Sequence, residues 1–390
     1  MMMYYIAVLI LGGLIFSRIL SKINFPNVTG FLIGGIIIGP SVLGLLPREG
    51  VESLALVSEI ALAFIAFSIG SEMDLAVIKR LGKRIGLVTI MEALGAFVVV
   101  FLGVYVVTKQ VPFALLLGSI ACATAPAATL MVIREYKAKG KLVDLLMPVV
   151  ALDDAVSIII FGVALSIATN ILNGSGLNIM NMLVLPGAEV IFSVILGAIG
   201  GVLFTYLSKY MKTDNELLSF TIATIFLLSA IAKWYDLSGL ITLMVTSFVA
   251  TNLGIDSRKS TSLIDRITPP IFMCFFVVSG ADLRLSSLSA VGIVGVIYVV
   301  GRVIGKVLGT SVSTRMSGFP DYIQKYLGLT LVPQAGVAIG LSLTASQTLP
   351  EPYGLMIRTI ILGSTIIYEL IGPMVAKYAL TKSGQIQEQH

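Results

Sequence analysis

Runs of about twenty predominantly apolar residues recur from one end of this 390-residue chain to the other, and they limit its fold more than any other feature. Helices or closed barrels are the only backbones that satisfy their own hydrogen bonds inside lipid. A barrel strand reads as roughly 10 residues of alternating hydropathy, whereas the runs here are continuous. Charged residues make up 12% of the chain, against roughly 25% in ordinary soluble domains. The chain therefore reads as an all-α polytopic membrane protein, with about thirteen transmembrane helices of membrane-crossing length. Among them are spans at 85–107, 112–133, 143–170, 287–312, 322–346 and 353–378.

The basic residues fall in short loops between these spans. Loops after odd-numbered spans, with the C-terminal tail, hold 19 Lys and Arg residues, and the other side holds 5. Arg302 and Lys306 are left inside a span. By the positive-inside rule this sets the N-terminus outside and the C-terminus in the cytoplasm, for a multi-pass protein of the cytoplasmic (inner) membrane. The same distribution accounts for the net charge of +5 without nucleic acid as a partner. Met1 to Tyr5 lack a basic segment and a cleavage site, so they read as the start of the first span. Cys122 and Cys274 sit in apolar stretches and read as buried thiols. The single histidine is His390, which excludes histidine chemistry. With no metal cluster and no nucleophile–base pair visible, an enzyme is the least favoured class, and no cofactor is expected.

The chain also resembles itself. Thr29-Gly30-Phe31-Leu32-Ile33 is echoed by Ser238-Gly239-Leu240-Ile241-Thr242, Phe67-Ser68-Ile69-Gly70 by Val277-Val278-Ser279-Gly280, and Pro126 by Pro333. The offsets are 209, 210 and 207 residues. A shift of seven spans is odd, so the two copies face opposite ways across the membrane. The reading is two inverted six-helix repeats joined by the seventh span, an architecture common in secondary transporters.

Polar chemistry concentrates in a few of these spans. Pro126 interrupts the fifth span beside Thr124, and Pro333, Gln334 and Gly336 interrupt the twelfth. Interrupted helices at corresponding places in two repeats point to a binding site near the membrane midplane. The sixth span carries Asp153 and Asp154 in an otherwise apolar stretch. A mid-span charge costs at least about 2.5–3.5 kcal/mol, and adjacent helix positions lie about 100° apart. One acid can thus face a cavity and the other a neighbouring helix, and such a carboxylate can hold a proton or a hard monovalent cation. Arg302 and Lys306 lie four apart on one face of the eleventh span, among small residues that permit close helix approach. Lys306 is expected to be the switchable partner of Asp153. Arg302 is expected to be a permanent cation paired with Glu92 or Glu369, and Glu59 and Glu72, nearer span ends, to belong to a loop or the mouth of the cavity.

These motifs resemble the monovalent cation:proton antiporter superfamily, and within it the NapA- and Kef-like sodium(potassium)/proton antiporters. The resemblance rests on Pro26 to Pro40, Phe67 to Glu72, Ala123 to Ala127, Ala151 to Asp154 and Gly305 to Gly309, in family order. It implies a fold like that of NhaA and NapA, with two crossing discontinuous helices. It further implies a homodimer whose dimerisation helices are 1–84 and 211–284, with core transport helices 85–172 and 285–390 and a linker helix in 173–210. Asp154 would bind Na⁺ (the metal ligand) and protons, Asp153 would pair with Lys306, and Thr124 would neighbour the cation. The Asp-Asp pair implies electrogenic exchange of Na⁺ or Li⁺ for H⁺ by an elevator-like alternating access, serving pH and sodium homeostasis. Two departures stand out: Gln334-Ala335-Gly336 replaces an Arg-Gly-Glu triplet common in relatives, and Ala125 stands where relatives often have Ser. A K⁺/H⁺ antiporter of the same fold is the nearest alternative, and a sodium-coupled organic-anion symporter a more distant one.

Overall fold

The computed structural model describes the chain except residues 24, 72, 174–183, 254, 284–291, 351 and 387–390. Glu72, Arg284 and His390 thus lie outside the described residues. Every regular element among the described residues is helical. Eight helices are individually long and apolar enough to cross a membrane, nine if the bent pair Ala55–Ser71 and Leu75–Leu81 is one span. Four apolar helices are shorter. Two expected spans, 112–133 and 322–346, are each split into two half-helices, and those at 28–45 and 238–254 hold the short helices Asn27–Ile38 and Gly239–Leu253.

One compact unit comprises Met1–Ile23, Gly30–Arg80 and Gly187–Asp282. It holds α1 (Met2–Ser21), α2 (Asn27–Ile38), α3 (Arg48–Ser53), α4 (Ala55–Ser71), α5 (Leu75–Leu81), α10 (Leu185–Ser208), α11 (Asp214–Trp234), α12 (Gly239–Leu253) and α13 (Ile255–Asp282). Small residues set its closest approaches. A methyl added to Gly70 of α4 would strike the main chain of Met244 in α12, and one added to Gly280 of α13 would strike that of Leu32 in α2. Gly70 and Gly280 are the repeat-related residues found in the sequence. Each packs on a helix of the opposite repeat, as a pseudo-twofold relation demands. Two of its ion pairs lie at the surface: Lys233 meets Glu59 at 2.7 Å and Lys259 meets Asp214 at 2.6 Å, all four side chains more than half exposed.

The second unit comprises Asn24–Thr29, Leu81–Pro186 and Leu283–His390. It holds α6 (Lys83–Thr108), α7 (Val111–Ile120), α8 (Pro126–Glu135), α9 (Lys141–Asn173), α14 (Gly292–Met316), α15 (Asp321–Thr330), α16 (Gly336–Thr348) and α17 (Tyr353–Lys382). Here α6 and α14 form the tightest pair. A methyl on Gly95 would hit the carbonyl of Gly305, and a methyl on Gly305 would hit the carbonyl of Gly95. The two glycines are 210 positions apart, so each repeat presents the same residue to the other. A methyl on Gly309 would likewise strike the main chain of Met91 and Glu92. Helix contact through small residues is a common membrane solution, because it lets backbones approach.

The broken helices follow from local chemistry. Proline lacks an N–H and belongs in the first turn of a helix; Pro126 opens α8 after a non-helical Ala125. In the second break, Gly336 opens α16 behind Ala335 at φ −153°, ψ −119°.

Candidate ion-binding site

A helix that stops inside a bilayer leaves up to four carbonyls without partners, and no water is at hand to accept the debt. In this protein α14 answers both breaks. The Arg302 guanidinium donates to the carbonyls of Ala121 (3.0 Å) and Ala123 (2.7 Å) in the first break and of Val332 (2.6 Å), Leu331 and Pro333 in the second. A cation placed at the C-terminal ends of α7 and α15 also meets the negative pole of each helix dipole. Gln334 completes the join. Its Nε2 donates to Ile120 and Ala123 carbonyls at 2.9 and 3.2 Å, and its Oε1 accepts from the Tyr298 hydroxyl at 2.9 Å. The Ala125 N–H reaches the Pro333 carbonyl at 2.9 Å, and the Thr129 hydroxyl reaches the Thr330 carbonyl at 3.0 Å. The two breaks therefore lie against one another.

One turn along α14, Lys306 projects into the first break. Its ammonium donates to the Cys122 carbonyl, to Thr124 Oγ1 at 2.9 Å and to Asp153 Oδ2 at 3.4 Å. Glu92 Oε2 from α6 lies 2.5 Å away. Glu92, Asp153, Arg302 and Lys306 are fully buried, and Asp154 is 2% exposed. Asp154 Oδ1 has no hydrogen-bond partner among the described residues, nor has Ser157 Oγ one turn further on α9. Two buried oxygens without donors, three residues apart on one helix face, are the kind of unsatisfied pair that calls for an explanation. An oxygen-seeking cation or a proton supplies one.

The structure thus brings together Asp153, Thr124 and Lys306 and sets Asp154 on the next position of the same helix. Pro126, Pro333, Gln334 and Gly336 all belong to the two breaks. Of the two acids expected as partners of Arg302, one is ruled out. Arg302 does not pair with Glu92; its described hydrogen bonds all go to main-chain carbonyls, and its guanidinium stacks 4.7 Å from the Tyr368 ring centroid. Glu92 takes Lys306 instead, because Gly305 and Gly309 let α6 slide in beside that lysine. Glu369 is buried on α17, next to Tyr368. Sequence reading missed Tyr298, Ser157 and the bridging amide of Gln334. Tyr298 could have been found, since 298, 302 and 306 are spaced by four along one helix face.

The C-terminal end of the described chain touches this unit as well. Gln385 accepts the Lys139 N–H on its carbonyl at 3.0 Å and the Leu142 N–H on its side chain at 3.3 Å, at the start of the helix that carries both aspartates.

Two helix breaks set against one another, neutralised from a neighbouring helix and flanked by buried acids, define a helical secondary-transporter architecture. Comparison with known proteins gives the family: the profile described as "Sodium/hydrogen exchanger, transmembrane" matches residues 6–380, and the chain belongs to that family. It is 24% identical over 391 residues to the Na⁺/H⁺-K⁺ antiporter GerN of Bacillus cereus, covering 96% of this chain and 95% of GerN. It is 23% identical over 392 residues to the high-affinity Na⁺/H⁺ antiporter NhaS3 of Synechocystis, covering 86% and 83%. The solved structure of the sodium proton antiporter MjNhaP1 of Methanocaldococcus jannaschii at pH 8 superposes with a TM-score of 0.73 at 20% identity, covering 100% and 99%.

Proposed function

We propose that this chain exchanges Na⁺ (or Li⁺) for H⁺ across the cytoplasmic membrane by alternating access, with cation and protons competing for Asp154 and the Asp153–Lys306 pair. The observation that carries the reading is three carboxylates and one ammonium buried together at the meeting of two broken helices. Such a pocket is unstable with every acid ionised and nothing bound, since buried charge is tolerated only when compensated. It therefore holds protons or a cation in turn. Asp154 binds the cation, with Ser157 as a candidate oxygen ligand one turn away. Asp153 takes up a proton when it releases Lys306, and exchange is electrogenic at two protons per Na⁺. The described unit with the broken helices is the moving core in this reading, and the other unit, with the lipid bilayer around it, is the scaffold and homodimer surface. The N-terminus is outside and the C-terminus cytoplasmic. The relatives named Na⁺/H⁺ antiporters support the substrate.

The test is proton flux in proteoliposomes under a clamped membrane potential. Wild type is expected to move H⁺ against a Na⁺ gradient, and Asp154→Asn, which can neither bind the cation as an anion nor carry the proton, to fall at least about a hundredfold. Wild-type exchange in Asp154→Asn would sink the reading. A K⁺/H⁺ exchanger is the second reading, favoured by the K⁺ in the name of the GerN relative. Flux driven in parallel by Na⁺, Li⁺ and K⁺ gradients separates the two.

A further inference from the structure

We propose that Glu92 is a third working carboxylate of this site: it is the standing partner of Lys306, and it frees Asp153 to join Asp154 in exchanging proton for cation. The proposal rests on the exchange reading above and adds a positioning residue to it.

Lys306 has three N–H donors, and all three are directed elsewhere, to the Cys122 carbonyl, the Thr124 hydroxyl and Asp153. Glu92 Oε2 nonetheless lies 2.5 Å from the nitrogen, against 3.4 Å for Asp153 Oδ2. Neither Glu92 oxygen has an aligned hydrogen-bond donor among the described residues. The contact is one of charge more than direction, and charge attraction falls with distance, so Glu92 is the nearer counter-charge while Asp153 holds the aligned hydrogen bond. When Asp153 takes a proton or a share of the cation, Lys306 loses one acceptor and keeps its counter-charge. An ammonium stripped of every carboxylate at this depth would have to discard its proton or leave.

The surroundings leave this task to Glu92. Arg302 is committed to the carbonyls of the two breaks. Tyr298 donates to Gln334 and Tyr368 to the Val299 carbonyl. The Cys122 thiol donates to the Ala93 carbonyl. Glu369, on α17, lies beside Tyr368 in sequence, and Asp154 shares α9 with Asp153. Glu92 itself sits where Gly309 admits its backbone, so its placement is built into the helix pair.

The measurement is a double-mutant cycle. Na⁺ binding is read from the thermal shift of the purified full chain, and KM, kcat and pH profile from proteoliposomes. In Glu92→Gln, Na⁺ must compete with Lys306 for Asp153. Its KM and binding midpoint are expected to rise about tenfold, with kcat within about twofold. With one anion fewer in the pocket, the half-activation pH is expected to move about one unit toward acid. Glu92→Asp, which keeps the charge, should restore most of both. On a Lys306→Gln background, Glu92→Gln should add little, because the competitor is gone. Unchanged Na⁺ affinity and pH profile in Glu92→Gln, or additive effects in the double variant, overturn the proposal. Should Glu92→Gln fail to fold, Glu92→Asp runs through the same cycle: coupling to Lys306 supports the role and additivity overturns it. Coupling in Na⁺ binding with no proton movement in wild type would sink the exchange reading and still support Glu92 as the partner of Lys306.

Discussion

The two units are assembled by the same device and put it to opposite uses. In one, α4 packs on α12 and α13 on α2 through Gly70 and Gly280, and the ion pairs Lys233–Glu59 and Lys259–Asp214 lie at the surface, away from these contacts. In the other, α6 packs on α14 through Gly95 and Gly305, and the same closeness holds Glu92, Arg302 and Lys306 inside. Small residues alone therefore do not mark a functional helix pair. What distinguishes the second pair is that its neighbours are broken, so it has loose carbonyls to neutralise and room for cations.

The comparison can be broken most forcefully at Arg302. Replacing it with Met strands the carbonyls of Ala121, Ala123 and Val332, and hydrogen bonds to a charged group are worth about 1.5–3 kcal/mol each. Even at the low end of that range three such bonds amount to about 4–5 kcal/mol, a loss expected to be seen as failure to purify folded or a large fall in apparent Tm in detergent. A variant as stable as wild type would remove the stated reason for a buried arginine. Next comes Gly305→Ala, which drives a methyl into the main chain of Gly95 and Ala96. Overpacking of this kind costs about 1–3 kcal/mol, and exchange per folded molecule should fall with it, because Glu92 and Lys306 are spaced by that contact. Gly70→Ala in the other unit should cost a similar amount of stability and leave exchange per folded molecule within about twofold; equal losses of transport would erase the distinction. The smallest effect is expected for Lys233→Gln. An exposed ion pair contributes about 0–1 kcal/mol, so both Tm and transport should stay near wild type.

Much of this was legible in the sequence because membrane helices advertise themselves. Apolar runs, Pro126 and Pro333, the paired aspartates and the Arg302–Lys306 spacing each break a strong rule, and each points to the same place. The partner of Glu92 was not legible. Glu92 and Arg302 are repeat-related, 210 positions apart, and opposite charge made them look like a pair. Which cation an acid meets depends on rotation about two helix axes, and here Gly305 and Gly309 turn α6 toward Lys306 while the open ends of α7 and α15 claim Arg302. A sequence records that charges are present; it does not record which carbonyls a broken helix leaves hungry.

The contact of Gly95 with Gly305 carries a consequence for history. If the two halves descend from one duplicated gene, the shorter ancestor assembled as an antiparallel pair of identical chains, and this glycine lay on the axis where each copy met its twin. A substitution there would have struck both partners at once. After duplication each half became free to diverge. At one such pair of positions the halves now differ in sign of charge: Glu92 in one, and in the other the arginine that holds the two breaks together.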